Sequence, residues 1–271
     1  MTNQEMAGKA AKNLRLVRER KPLVHNITNY VVMNTTANAL LACGASPVMA
    51  HAAEEVEEMV SYAGALVLNI GTLSPPWIEA MLKAGKKANA LGVPVILDPV
   101  GSGATRLRTD TAKRLIKEMS IRVIRGNASE ILSLAGDESL AATKGVDSVH
   151  TVDQATESAM ALARELSTTL AITGPVDLIT DGKRTFRVMN GHEMMSQVTG
   201  TGCTATALIG AFLAVDRDPL EAAATALAYF GLAGEKAAAL ASGPGSFQTA
   251  LLDALFLIKE ADLLAGAKIQ V

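Results

Sequence analysis

The sequence predicts an α/β protein whose mostly parallel central sheet is covered by helices on both faces. Short apolar segments alternate with helix-length segments through the first two thirds of the chain, which is the pattern of parallel strands joined by helices. Residues 64–70 are interpreted as a continuous apolar strand, the kind that is buried on both faces. Asp181-Gly182 joins two further strand-like segments and predicts an antiparallel hairpin over residues 176–189.

Proline and glycine mark most boundaries between these segments, as in Pro22 before the first strand and Gly44 after the second helix. The predicted helices cover the segment before Pro22 and residues 29–41, 54–58, 75–91, 109–119, 153–166, 205–215, 219–241 and 246–265. The predicted strands cover residues 23–28, 45–50, 64–70, 93–97, 121–124, 168–173, 176–180 and 184–189. Residues 136–150, including His150, are interpreted as a surface loop.

Composition narrows the class of protein. The chain has 271 residues, 49% of them hydrophobic, and no internal repeat or linker, so one domain over residues 1–271 is expected. A net charge of −2 argues against nucleic acid or an anionic membrane as the main partner. Cys43 and Cys203 form neither a metal-ligand spacing nor a disulfide pattern. The polar N-terminus lacks the pattern of a signal peptide, so a cytoplasmic location is expected.

Polar side chains lie where the first strands end, at the edge of a parallel sheet that faces ligands. His25, Asn26 and Asn29 surround the first strand-to-helix junction. Turn and cap chemistry for the two asparagines, with a satisfied hydrogen bond for His25, is the simpler interpretation. Met49 would form an adaptable apolar wall at the next strand end, with core packing as its default role.

Two further strand ends carry charged groups. Asp98 ends a buried strand before a glycine-rich loop, where a carboxylate either handles metal or phosphate or braces the loop. Asn127 and Glu130 have the spacing of a capping box. The functional alternative is that Glu130 orients magnesium-bound water while Arg125 meets a nucleotide phosphate.

The segment 198–207 is the hardest to explain as fold maintenance alone. Gly200 and Gly202 lie among threonines and precede an apolar run of helix length. The free N–H groups and the dipole of such a helix make an anion site suited to phosphate. Cys203 would lie in its first turn, where a thiol pKa tends to fall. Close helix packing and a membrane span over 196–215 are alternatives, and the glycines and threonines disfavour the span.

These motifs, in this order, resemble the ribokinase-like small-molecule kinases and, within them, the hydroxyethylthiazole kinase family. The resemblance covers about residues 21–264 and implies a three-layer α/β/α ribokinase-like fold. It also implies phosphate transfer from ATP, with Mg²⁺, to the primary alcohol of 4-methyl-5-(2-hydroxyethyl)thiazole in thiamine salvage. The segments that carry it are Val24-His25-Asn26-Ile27-Thr28-Asn29, Gly44-Ala45-Ser46-Pro47-Val48-Met49, Asp98-Pro99-Val100-Gly101 and the Gly200 loop.

The resemblance further implies a homotrimer with sites between subunits, and it implies roles for single residues. By role, these are Met49, Gly200, Asn29 and Val31 for the thiazole, Arg125 and Thr173 for ATP, Asp98 and Glu130 for the metal, and Gly200, Thr201, Gly202 and Cys203 for catalysis.

Cys203 is the position at which the chain departs from most ribokinase-like enzymes, which carry an aspartate there. A thiol with a pKa of about 8.5 is mostly protonated at neutral pH, although a helix N-terminus lowers it. We therefore expect Cys203 to position the alcohol and to assist proton removal modestly. Two other functions stay open: a kinase of another small alcohol, such as hydroxymethylpyrimidine or pyridoxal, and a non-catalytic metabolite-binding relative.

Overall fold

The structure is a computed structural model that describes residues 2–135 and 152–271. Within these ranges nine strands form one sheet in the order β2-β1-β3-β4-β5-β6-β7-β8-β9. The pairings from β2 to β6 are parallel, and those from β6 to β9 are antiparallel. The strands are β1 (Leu23–Ile27), β2 (Ser46–Val48), β3 (Ala65–Asn69), β4 (Val95–Asp98), β5 (Val123–Asn127), β6 (Thr169–Thr173), β7 (Asp177–Thr180), β8 (Thr185–Val188) and β9 (Ile269–Gln270).

Helices cover both faces of this sheet, so the predicted three-layer α/β/α class and the antiparallel hairpin β7–β8 are confirmed. The α-helices are α1 (Asn3–Arg20), α2 (Met33–Cys43), α3 (Val56–Tyr62), α4 (Pro75–Leu91), α5 (Arg106–Glu118), α6 (Ala128–Leu132), α7 (Val152–Glu165), α8 (Thr201–Leu213), α9 (Pro219–Ala238), α10 (Pro244–Leu257) and α11 (Glu260–Gly266). Two hydrophobic clusters fill the spaces between layers, one beneath α1, α2 and α8–α10 and the other beneath α3–α7. Among the described residues, no helix is long and apolar enough to cross a membrane.

Local chemistry explains where many of these elements begin and end. Gly44 and Gly92 adopt left-handed backbone angles, with φ of 103° and 72°, and end α2 and α4. Pro75 opens α4 at a position whose N–H would have no partner within the helix. Asn127 and Glu130 exchange hydrogen bonds as a capping box at the start of α6.

Several predicted boundaries were wrong. Helix α2 begins at Met33 rather than Asn29, because the Asn29 side chain accepts from the Val31 N–H and closes a turn. The predicted helix 246–265 is two helices, and Asp262 accepts from the Lys259 N–H to begin the second. Strand β9 was not predicted. The predicted loop 136–150, with His150, lies outside the described residues.

Helix α8 lies closer to the sheet than an ordinary side chain would allow. A Cβ at Gly210 would lie 2.9 Å from Val67 Cγ2, in the middle of β3, and 3.2 Å from Val24 Cγ1, near the start of β1. The helix also begins at Thr201, four residues before the predicted start, which brings Gly202 and Cys203 into its first turn. The close approach therefore fixes the height of that turn over the edge of the sheet.

Replacing Gly210 with Ala is expected to lower the free energy of unfolding by about 1–3 kcal/mol relative to Gly8→Ala. The added methyl group would press on Val67, whose β-branched side chain is stiff. Gly8 is the matched control because it lies in α1, and a Cβ added there would have nothing within 4 Å. Both variants gain helix propensity of up to about 1 kcal/mol. Urea unfolding followed by circular dichroism measures the difference, and equal stability of the two variants would contradict the prediction.

Candidate active site

The site lies where β1, β3, β4 and β5 end beneath the N-terminus of α8. Asn69 and Asp98 are direct partners in the pairing of β3 with β4, so their side chains come from adjacent strand ends. Arg125 follows on β5, and Asn29 lies just beyond β1. Cys203 enters from above, in the first turn of α8. The parallel topology therefore gathers residues that are up to 174 positions apart in the chain.

Gly200 makes the sharp entry into α8. Its φ is +87°, a region that favours glycine, and a Cβ there would lie 2.9 Å from Val32 Cγ1. The first bond of the helix runs from the Thr204 N–H to the Gly200 carbonyl, at 2.8 Å. The N–H groups of Thr201, Gly202 and Cys203 precede that bond and, by helix geometry, have no partner within the helix. Such a terminus suits an anion.

A chain of hydrogen bonds joins Cys203 to Asp98. The Asn29 amide nitrogen lies 3.6 Å from Cys203 Sγ and 2.9 Å from Asn69 Oδ1. The Asn69 amide nitrogen in turn donates to Asp98 Oδ2 at 2.9 Å. Asn29, Asn69 and Asp98 are all buried. These bonds fix the orientation of both amides, and they connect the thiol to a carboxylate through two side chains.

Asp98 is a fully buried carboxylate with few donors. Thr206 donates to the same oxygen as Asn69, at 2.8 Å, whereas Asp98 Oδ1 is buried without a hydrogen-bond partner among the described residues. Burial raises the pKa of Asp98 to about 6, although the neighbouring Arg125 and the two hydrogen bonds oppose that shift. One oxygen of this carboxylate is therefore available to a cation or a polar ligand.

Arg125 is a cation confined by its neighbours. Its Nη1 lies 3.9 Å from Asp98 Oδ2, and its Nη2 donates to Thr173 Oγ1 at the end of β6. A Cβ at Gly202 would lie 2.6 Å from the same Nη1, so a side chain there would displace the guanidinium. Glycine at this position thus lets a guanidinium lie directly against the first turn of α8, where it reinforces the positive end of the helix.

Glu130 has a structural role and lies close enough to influence Asp98. Its two oxygens accept from the backbone N–H groups of Gly101 and Asn127, each at 2.9 Å, so the expected capping interaction is present. Its charge contributes to the raised pKa of Asp98. Among the described residues, no three His, Cys, Asp or Glu side chains cluster to hold a metal ion. Asp98 Oδ1 and Glu130 fit Mg²⁺ only as part of a shell completed by phosphate and water, which is how Mg²⁺ is usually held.

The pKa of Cys203 differs from the expectation. The helix N-terminus was expected to lower it, but burial and the nearby Asp98 carboxylate raise the pKa of the thiol to about 11. Hydrogen bonds from Asn69 and Asn29 and the charge of Arg125 only partly oppose this shift. Cys203 is therefore a neutral thiol around neutral pH.

The remaining predicted residues lie around this centre. Met49 is half-buried one residue beyond β2, and Val31 is 68% exposed in the turn after Asn29. The Thr201 hydroxyl bonds to the backbone of the preceding segment rather than facing the site. The expected hydrogen bond of His25 is present at Nε2, which bonds to the Ala50 carbonyl at 2.7 Å, whereas Nδ1 is buried without a partner among the described residues. Burial lowers the pKa of this imidazole.

Sequence reasoning missed three residues of this site. Asn69 was assigned to an apolar strand, although a polar residue at the end of a buried strand is a signal for the carboxyl edge. Thr206 was assigned to an apolar helix. Arg108 donates to the carbonyls of Ile70, Val100 and Gly71 and so braces both loops beside the site. No local pattern indicates such an arginine, because most of its partners are backbone atoms distant in sequence.

A sequence model described as the hydroxyethylthiazole kinase family matches residues 14–261. The chain belongs to the hydroxyethylthiazole kinase family. A hydroxyethylthiazole kinase from Desulfotalea psychrophila is 63% identical over 261 residues, which are 96% of this chain and 95% of that protein. One from Pyrococcus furiosus is 55% identical over 256 residues, covering 94% and 95% of the two chains.

Solved structures agree with this assignment. The hydroxyethylthiazole kinase from Pyrococcus horikoshii OT3 matches with a TM-score of 0.88 and 50% identity, over 96% of this chain and 98% of that one. A pyridoxal kinase from Staphylococcus aureus matches with a TM-score of 0.60 and 17% identity, over 80% of this chain and 88% of that one. The second likeness concerns the fold alone, and together with the first it agrees with the ribokinase-like fold that the sequence predicted.

The raised pKa of Asp98 predicts a specific dependence of stability on pH. Because its folded-state pKa is about 6 against an ordinary 3.8, this group favours the folded state at low pH, and the contribution is lost as pH rises through about 6. Asp98→Asn keeps an oxygen for Asn69 and Thr206 without the buried charge. The variant should match the wild type at about pH 4 and exceed its free energy of unfolding by about 1–3 kcal/mol at about pH 8.

Urea unfolding of both proteins across this pH range measures the difference. Asp177 also has its pKa raised to about 6 by burial, so the comparison must be between variant and wild type rather than along the wild-type curve alone. A stability difference that does not change with pH would contradict the assignment of this dependence to Asp98.

Proposed function

We propose that the chain transfers the γ-phosphoryl group of ATP, with Mg²⁺, to the primary alcohol of 4-methyl-5-(2-hydroxyethyl)thiazole. The observation that carries the proposal is the meeting of three features at one sheet edge: the N-terminus of α8, the guanidinium of Arg125 and the buried carboxylate of Asp98. Membership of the hydroxyethylthiazole kinase family, and the names of relatives 55% and 63% identical, support the choice of alcohol.

The transferred phosphoryl group would be stabilised at the first turn of α8. Phosphoryl transfer passes through a loose transition state, so positioning and charge stabilisation do most of the catalysis. The N–H groups of Thr201, Gly202 and Cys203 would donate to the developing charge. Arg125 lies against the same turn and would meet the phosphates, with Thr173 holding its guanidinium in place. Gly202 is needed because any side chain there would displace that guanidinium.

The acceptor alcohol would lie beside Cys203 and Asn29. The Asn29 amide is held by Asn69 and reaches the thiol, so the polar group that faces the alcohol is fixed before the substrate arrives. Val31, Met49 and Gly200 would contact the thiazole ring. The thiol is neutral and would position the alcohol, and a loose transition state makes little demand for a strong base.

Asp98 and Glu130 would serve Mg²⁺ through one carboxylate oxygen and through water. The metal, when bound there, would supply positive charge against the negative charge that develops on the phosphoryl group. Asp98 Oδ1 supports this placement because it is buried and has no partner among the described residues. The positive charge of Arg125, beside Asp98, partly balances the negative charge of that carboxylate in the pocket.

We further propose that residues 1–271 form one cytoplasmic domain that assembles as a homotrimer with sites between subunits. The exposure of the turn beside Asn29, where the acceptor alcohol would bind, supports this assembly. Tyr30 and Val31 are 64% and 68% exposed, although they adjoin the buried Asn29. A neighbouring subunit would cover this apolar turn and complete the wall of the pocket.

Purified protein with ATP and Mg²⁺ is expected to release ADP with hydroxyethylthiazole in preference to hydroxymethylpyrimidine or pyridoxal. The half-buried Met49 and the exposed Val31 favour a small, weakly polar ring. A coupled assay of ADP release measures the three alcohols side by side. Turnover with only one of the other alcohols would overturn the choice of substrate while keeping the kinase chemistry. ATP binding without ADP release from any of them would instead favour a metabolite-binding protein.

Cys203→Ser is expected to keep kcat within about tenfold of the wild type, with the same pH profile, whereas loss of a general base costs about 100-fold or more. The reason is that the thiol, with its pKa raised to about 11, is neutral like the hydroxyl that replaces it. Cys203→Ala is the matched comparison because it removes the hydrogen-bonding group and should raise KM for the alcohol. A loss of kcat beyond about 100-fold in Cys203→Ser would restore the thiolate as the base.

A further inference from the structure

Three aromatic rings from three different connections meet beside the site. The Trp77 ring lies between Tyr30 and His51, with ring centroids 4.9 Å and 4.7 Å apart and interplanar angles of 44° and 47°. These are ordinary distances for attractive aromatic pairs. Tyr30 belongs to the turn after β1, His51 follows β2, and Trp77 lies in the first turn of α4 after β3.

Trp77 is the fixed member of this group. It is only 5% exposed and belongs to the hydrophobic cluster that contains Ile27, Val56 and Ile70. Its backbone is also held, because Pro75 and Pro76 open the helix in which it lies. Tyr30, by contrast, is 64% exposed. His51 Nδ1 is buried without a hydrogen-bond partner among the described residues, so no bond at that atom orients the imidazole.

Both neighbours of Trp77 adjoin residues that would bind the alcohol. Tyr30 lies between Asn29, which reaches Cys203 Sγ, and Val31, whose N–H donates to the Asn29 side chain. His51 is two residues after Met49. A single rigid ring therefore contacts one side chain from each of the two segments, 29–31 and 49–51, that supply the proposed thiazole contacts.

We propose that Trp77 is a positioning residue that sets the width of the pocket for the acceptor alcohol by holding these two segments against one core-anchored ring. The proposal rests on the proposed function of the same site. Arg125 and Thr173, which would contact the nucleotide, lie on β5 and β6, two and three strands away from β3. Trp77 therefore acts on affinity for the alcohol and leaves affinity for ATP unchanged.

Steady-state kinetics separates this role from general stability. Trp77→Leu is expected to raise KM for the alcohol about tenfold, the loss expected from two aromatic contacts, and to leave KM for ATP within about twofold. Tyr30→Ala and His51→Ala should each give part of the increase without opening a cavity in the core. Tyr62→Ala is the matched control, since Tyr62 is 67% exposed at the end of α3 and should leave both constants unchanged.

Trp77 is also the only tryptophan in the chain, so its emission reports on this position directly. Titrating the wild type with the alcohol, in the absence of ATP, is expected to change tryptophan emission to saturation. The concentration at half-saturation should rise in Tyr30→Ala and His51→Ala together with KM.

An unchanged KM for the alcohol in all three variants would overturn the proposal, as would an equal rise of both KM values. If Trp77→Leu does not fold, the KM values of Tyr30→Ala and His51→Ala test the proposal on their own. The variants are assayed with whichever alcohol the wild type phosphorylates. If the thiazole is the wrong substrate, the wild type itself fails to phosphorylate it. If the role of Trp77 is wrong, the KM of each variant for the alcohol divided by that of the wild type is close to one.

Discussion

The buried carboxylate of Asp98 is the constraint on which the rest of the site depends. A charge with no exposure to water is tolerated only where donors and opposite charge surround it. Asn69, Thr206 and Arg125 supply these from β3, α8 and β5, so three elements must be in register for the carboxylate to ionise. The raised pKa shows that they compensate burial only in part. A carboxylate left in this state interacts strongly with any cation that reaches its free oxygen.

Helix α8 connects that carboxylate to the proposed anion site. Thr206, one turn into the helix, binds Asp98, while the first turn carries the free N–H groups and Cys203. The positions of Thr206 and of the first turn both depend on how closely the helix approaches the sheet. Gly210 lacks the side chain that would hold the helix away, and Gly202 leaves room for the Arg125 guanidinium. The small residues of this helix thus have two effects at once: dense packing and a fixed position for the donors.

The sequence predicts the fold well because the fold depends on local and periodic signals. Alternating segments, Gly44, Pro75 and Asp181-Gly182 identify the parallel sheet and its antiparallel edge without knowledge of distant contacts. The site is predicted less completely. Asp98 ends a strand, Cys203 lies in the first turn of a helix, and Arg125 directly follows the predicted strand 121–124, so all three can be found from the sequence. Asn69, Thr206 and Trp77 matter because of the side chains that they contact in the folded protein. Those partners are distant in sequence, so the residues next to each position do not predict them.

The neutral state of Cys203 follows from the same electrostatics. Its thiol shares a buried hydrogen-bonded chain with Asp98, and the nearby carboxylate is among the causes that raise its pKa to about 11. Two negative charges in one dry pocket would repel, and the free energy of that repulsion would oppose binding of a phosphate beside them. A thiol avoids this conflict because it can accept a hydrogen bond from Asn29 without carrying charge. A neutral thiol is a weak base, but this costs little in rate because the transition state of phosphoryl transfer depends mainly on stabilising charge on the phosphoryl oxygens.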